Sequence, residues 1–258
     1  MAAENCSAER VIAWRSWTPK LFSFRLTRPA GFRFTAGQFA RLGIQTAYGT
    51  TVWRPYSMVS APYDDFLEFL SIVVPGGEFT SELATRRVGD TVWLDHEAYG
   101  FLTLNRFPDG RELWLLATGT GVAPFLSMLQ DAETWTRFEF VVLAYSVRSA
   151  DELAYLDWLA ALPAHPLVGD AFTPQRWRFI QAVTRTPIPG ALSQRLTLAL
   201  DDGTLEAAAG RPLSLERSRV MVCGNPQMVD DCRARLSARG FKLSRQSAPA
   251  QLAFENYW

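Results

Sequence analysis

The chain has 258 residues, enough for two modest domains or one large one. Its 26 basic and 26 acidic residues cancel and no basic run stands out, which leaves no footprint for nucleic acid. The three cysteines, at 6, 223 and 232, are too few and too scattered for a disulfide framework, an iron–sulfur cluster or a zinc site. No apolar run approaches the roughly 20 residues that span a bilayer, and the first ten residues carry acids rather than an apolar signal core. A cytoplasmic monomer without membrane insertion is expected. Of the basic residues only Lys20 and Lys242 are lysine, so an arginine is no signal by itself here.

In chain order, residues 10–17 and 21–28 alternate around Thr18-Pro19-Lys20 and predict a hairpin. Extended segments follow at 38–44, 52–60, 66–74 and 91–95, separated by turn signals such as Pro75-Gly76-Gly77 and Gly89-Asp90. One short helix is predicted over 80–86. Consecutive short strands imply an antiparallel barrel or sandwich. The turn Phe107-Pro108-Asp109-Gly110 then marks a boundary, so the expected domains are 1–108 and 109–258. Beyond it, strands at 112–117, 138–145, 178–183 and 220–223 alternate with helices at 122–130, 152–162, 192–200 and 228–239. Strands alternating with helices predict an α/β domain with a parallel sheet.

Four segments carry chemistry. In Leu115-Leu-Ala-Thr-Gly-Thr-Gly-Val-Ala-Pro-Phe-Leu126 a buried strand turns through small residues into a helix opened by Pro124. Gly119 and Gly121 let backbone amides approach an anion at that helix N-terminus, although a tight strand–helix turn needs no ligand. Arg54-Pro55-Tyr56-Ser57 sets a guanidinium and a phenol on one face of a strand, where a solvated Arg beside a core Tyr is the plainer reading. Val220-Met-Val-Cys223-Gly224 ends a strand on a cysteine at the ligand-binding edge, where a lone cysteine is more often filler. The stretch Phe254-Glu-Asn-Tyr-Trp258 is unusually aromatic for a terminus and implies rings packed on something.

In this order, the four segments resemble the ferredoxin–NADP⁺ reductase family, above all its bacterial branch of ferredoxin/flavodoxin–NADP⁺ reductases, over nearly the whole chain from Arg10 to Trp258. The resemblance implies an FAD-binding antiparallel β-barrel followed by a Rossmann-like NADP-binding domain. It implies exchange of electrons between NADP(H) and ferredoxin or flavodoxin. Arg54, Pro55, Tyr56 and Ser57 match the family's Arg-x-Tyr-Ser motif: Arg54 for the FAD phosphates, Tyr56 against the isoalloxazine, Ser57 near flavin N5. Val73 and Val74 match the strand that meets the ring and ribityl by its backbone, and Gly77, Phe79 and Thr80 the start of the helix that receives the pyrophosphate. Thr118, Gly119, Thr120 and Gly121 become the nicotinamide and pyrophosphate loop, with Thr118 also reaching the FAD, and Cys223 stands beside the nicotinamide. Arg148, Arg185 and Arg195 match the contacts to the 2′-phosphate of NADP. Phe254, Tyr257 and Trp258 fall to the FAD site, Tyr257 on the flavin face and Trp258 on the adenine of a folded FAD. Glu255 stands where plant-type relatives carry a catalytic Glu; their chains end at Tyr, so Trp258 is a departure. Ser57, Cys223, Glu255 and Tyr257 are thus the candidate catalytic residues. Two other readings stay open: an NAD(P)H-dependent reductase of the same superfamily serving an oxygenase, haem protein, quinone or free flavin, and a non-catalytic FAD-binding regulator.

Overall fold

The computed structural model describes residues 5–46 and 49–256. Its first half is a six-stranded antiparallel sheet built from β1 (Cys6–Ser16), β2 (Leu21–Thr27), β3 (Phe39–Gln45), β4 (Thr51–Ser57), β5 (Phe66–Ile72) and β6 (Thr91–Tyr99). The strand order is β4-β3-β6-β1-β2-β5, and an antiparallel bridge from Met58 to Phe69 brings the two edges together into a barrel. Side-chain alternation sorts β2 and β5. Phe22, Phe24, Leu26, Leu67 and Phe69 fill the barrel, while Leu21 and Leu70 face out and join the core of the second half. Pro55 lacks an N–H and sits on β4, where an edge strand tolerates it. The short helix, α1 (Glu78–Leu83), starts two residues earlier than its sequence pattern suggests.

The second half is a parallel sheet of β7 (Glu112–Thr118), β8 (Phe140–Val147), β9 (Trp177–Val183), β10 (Ser218–Gly224) and β11 (Leu252–Asn256), in the order β11-β10-β7-β8-β9. One face packs on α2 (Ala123–Gln130), α3 (Ala132–Arg137) and α4 (Leu156–Ala161). The other packs on α5 (Leu196–Asp201), α6 (Thr204–Ala209) and α7 (Pro226–Ala238). The chain steps outward from β7 to β9, then crosses back to lay β10 on the far side of β7. The strand order therefore reverses between β7 and β10, and a crevice opens at their carboxyl ends.

Two expected helices are shorter than their patterns, for reasons visible in the fold. The one expected at 152–162 begins only at Leu156. Glu152 is spent on capping, accepting from the backbone N–H of Arg148 and Ser149, and Tyr155 adopts a left-handed conformation with φ 65°. The one expected at 192–200 starts at Leu196, because Leu192 first pairs with Ala182 and extends the sheet. The sequence reading also missed α3, α6 and β11. No helix among the described residues is long and apolar enough to cross a membrane.

Candidate active site

The crevice between β7 and β10 is closed by glycines. Gly121 lies so near β10 that a Cβ would collide with the carbonyl of Cys223, and a Cβ on Gly224, whose φ is 139°, would collide with Thr118. The Thr118 hydroxyl accepts from the Asn225 N–H at 3.0 Å and fastens the two loops together. Gly119, at φ 55°, is the opposite case: a side chain there would meet nothing within 4 Å, so the loop presents open backbone toward the crevice. Thr120 and Gly121 are buried, and Pro124 opens α2 behind them. This cradle of backbone at a helix start suits an anionic nucleotide.

Strand β11 brings a carboxylate to the same place. Glu255 pairs in register with Cys223, and its Oε1 accepts from the Ser57 hydroxyl at 3.3 Å, across from one sheet to the other. Its Oε2 lies beside Gly100, against which Phe39 also packs. Phe39 in turn stacks on Tyr99, with centroids 5.8 Å apart. Burial pushes the Glu255 carboxyl up to about 7, offset in part by the Ser57 hydrogen bond. Among the described residues no cation pairs with it. Gly100, Phe39 and Tyr99 were missed in the sequence, where nothing links them to residue 255.

On the barrel side, Arg54 and Pro55 are exposed on edge strand β4, and among the described residues the Arg54 guanidinium donates only to its neighbour's carbonyl, Trp53, at 2.8 Å. The Tyr56 ring lies 5.6 Å from Phe79, and its hydroxyl meets Ser71 Oγ at 2.9 Å. Burial raises its phenol to about 12, so it stays neutral. Val73 and Val74 run beside this patch with their N–H groups already engaged, by Lys20 O and by Thr80 Oγ1. Any backbone contact they make to a ligand must use other atoms. Gly77 caps α1 with no side-chain bond, and Phe79 is buried under it. An exposed guanidinium with no carboxylate partner among the described residues, a half-buried phenol and the unobstructed Gly76 beside α1 fit a flat group carrying phosphates.

Three of the arginines stand together on the carboxyl rim of the parallel sheet. Arg148 follows β8 and Arg185 follows β9, and the Arg185 N–H donates to the Arg148 carbonyl at 2.9 Å. Arg195 caps α5, three residues past the Leu192 pairing. All three are exposed, and none has an ion pair among the described residues.

The remaining assignments fare unevenly. Cys223 is fully buried at the end of β10, facing Gly121 through its backbone. Alternation along β11 turns Phe254 away from Glu255, onto the face covered by α7, with the Arg233 guanidinium 4.9 Å above its ring. Tyr257 and Trp258 lie outside the described residues.

Residues 11–95 match the family model of the oxidoreductase FAD-binding domain, and residues 115–234 that of the oxidoreductase NAD-binding domain. The chain is 40% identical to a ferredoxin–NADP reductase A of Sorangium cellulosum over 249 residues, 96% of this chain and 88% of that one. It is 37% identical to a flavodoxin/ferredoxin–NADP reductase of Shigella flexneri over 250 residues, 96% of this chain and 97% of the relative. In three dimensions it matches the crystal structure of a ferredoxin NADP+ reductase from Neisseria gonorrhoeae with bound FAD and NADP. That match has a TM-score of 0.90 at 39% identity and covers 98% and 99% of the two chains. With both domains and their order in common with relatives across almost its entire length, the chain belongs to the ferredoxin–NADP reductase family.

Proposed function

We propose that this chain is an FAD-dependent oxidoreductase that exchanges electrons between NADPH and ferredoxin or flavodoxin. The observation that carries the reading is the meeting of Ser57, on the barrel strand of the Arg54-x-Tyr56-Ser57 motif, with Glu255 of the parallel sheet, whose strand partner Cys223 abuts Gly121 of the glycine loop. A flavin bound there supplies the step between the two-electron chemistry of a nicotinamide and the one-electron chemistry of a small carrier.

The protein's own groups bind, orient and hold protons. Arg54 takes the FAD phosphates, with Gly77 and Thr80 at the start of α1, while Tyr56, Val73 and Val74 wall the ring. Phe79 supports Tyr56 from behind. Thr118, Gly119, Thr120 and Gly121 offer backbone to the nicotinamide half of NADPH, and Cys223 forms the wall behind it. Arg148, Arg185 and Arg195 hold the 2′-phosphate, which their lack of carboxylate partners supports. Ser57 and Glu255 share a hydrogen bond next to the reacting ring, and Glu255 can hold or release a proton near neutral pH. The working units are 1–108 for FAD and 109–258 for NADP. A cytoplasmic setting accords with three scattered cysteines.

The deciding experiment is the absorption spectrum of the purified protein before and after anaerobic NADPH. Flavin bands that bleach with NADPH, followed by re-oxidation by ferredoxin or flavodoxin faster than by free FMN, are the expected outcome. A protein that is colourless and stays so after incubation with FAD defeats the reading.

A further inference from the structure

The nicotinamide loop and the flavin strand belong to different domains, so something must set the gap between them. The loop Gly119–Val122 runs directly into α2, and α2 is fastened to the barrel at its other end. Ser127, with no exposed surface, donates its hydroxyl to the Ser60 carbonyl at 2.7 Å. Gln130 Nε2 donates to the Val59 carbonyl at 2.9 Å and to the Leu126 carbonyl of its own helix at 3.0 Å. Val59 and Ser60 follow Ser57 by two and three residues. Their other side is held by β5: the Val59 N–H donates to the Glu68 carbonyl at 2.8 Å, and the Ser60 hydroxyl accepts from the Glu68 N–H at 3.1 Å.

We propose that Ser127 and Gln130 are positioning residues, which make α2 a strut holding the nicotinamide loop at a fixed distance from Ser57. The path is short and stiff. From Gly121 to Ser127 it is six helical residues, roughly 9 Å. From Ser57 to Ser60 it is three residues of extended chain, roughly 10 Å. Both carbonyls are buried, so a lost donor is not replaced by water, and the interface must shift to relieve the orphaned acceptor. Hydride transfer is sensitive to such shifts, because a misplacement of about 1 Å can lower the rate on the order of 100-fold. The proposal rests on the function stated above.

The test compares the FAD-loaded wild type with the double variant Ser127→Ala/Gln130→Met and with Ser127→Thr, which keeps the hydroxyl donor. At saturating NADPH, the double variant should bleach about tenfold more slowly or worse, and its long-wavelength nicotinamide–flavin charge-transfer absorbance should weaken. Binding of 2′-phospho-AMP, which needs only the rim arginines, should change by less than about twofold, since distant sites act independently. Ser127→Thr should keep most of the rate and the band. A general loss of structure would weaken 2′-phospho-AMP binding as well, which separates it from a positioning role. Wild-type bleaching and charge-transfer absorbance in the double variant overturn the proposal. If that variant does not fold, Ser127→Ala alone should slow bleaching by about threefold or more, one hydrogen bond's worth; an unchanged rate overturns it equally. A wild type that NADPH fails to bleach overturns the functional reading itself, and is recognised by that.

Discussion

Both ends of the five-stranded sheet are rich in arginine, and they use it in opposite ways. At the amino ends of β7 and β10, Glu112 is buried and accepts from Arg217 Nε at 2.9 Å, from Ser218 Oγ at 3.0 Å and, more distantly, from Arg211 at 3.4 Å. Arg219 is buried there too and bridges to Asp109 at 2.6 Å. At the carboxyl ends, Arg148, Arg185 and Arg195 point from exposed positions with no carboxylate partner among the described residues. Charges matched within the chain hold an architecture, whereas cations left unmatched beside open backbone await an anion. In a chain whose basic residues are nearly all arginine, composition cannot separate the two sets, and pairing can.

The largest effect should come from the unmatched end. Replacing Arg185 and Arg195 together by Ala removes two charged contacts to a 2′-phosphate, each worth about 1.5–3 kcal/mol. With the discount for exposed positions, kcat/KM for NADPH relative to NADH should fall by about 100-fold, or roughly 3 kcal/mol. FAD content should not change. Steady-state kinetics with both nucleotides decide it, and equal losses for NADPH and NADH would erase the distinction between the two rims.

The matched end should respond in stability and not in nucleotide choice. Glu112→Ala strips the partner from Arg217 and Arg211 and leaves the buried Ser218 hydroxyl without its acceptor. The arginines are partly exposed and can rehydrate, so the loss should be about 2–3 kcal/mol, the scale of a charged hydrogen bond, rather than that of a fully buried ion. Chemical denaturation measures it. A shift in the NADPH/NADH ratio with intact stability would mean that the amino rim had been misread.

The same contrast explains what could be read in advance. The barrel and the alternating strands and helices were legible because a period of two and a period of 3.6 impose themselves on apolar residues over many positions. The Gly119–Gly121 loop and the Arg54–Ser57 motif were legible because local backbone demands dictate small residues or alternation. Long-range facts were not. Glu255 meets Ser57 across 198 positions, and β11 is only five residues long, too short for a period to declare itself. The same shortness hid that strand alternation packs Phe254 on the α7 side of the sheet. Tyr155 delays the start of α4 to Leu156: its backbone is left-handed, and its hydroxyl donates to Glu68 at 2.7 Å, 87 positions away and invisible to a local pattern.

Glu112 and Glu255 form the sharpest pair, and the smallest predicted effect concerns the second. Both accept from a serine hydroxyl, but Glu112 has guanidinium partners and Glu255 has none among the described residues. Burial without a cation raises the Glu255 carboxyl from 4.5 to about 7. The folded protein therefore binds a proton that the unfolded chain has already released between those values. Stability falls as pH rises through that window and levels off above it. Glu255→Gln cannot titrate, so the stability of the wild type relative to this variant should decline between about pH 4.5 and 7. The decline should be on the order of 1–2 kcal/mol, since partial exposure screens the charge. Melting of the two proteins from about pH 4 to 8, which brackets the interval between the unfolded and folded values, tests this. Parallel curves would show that Glu255 is as well compensated as Glu112, and that the carboxyl rim holds no unmatched acid beside its unmatched arginines.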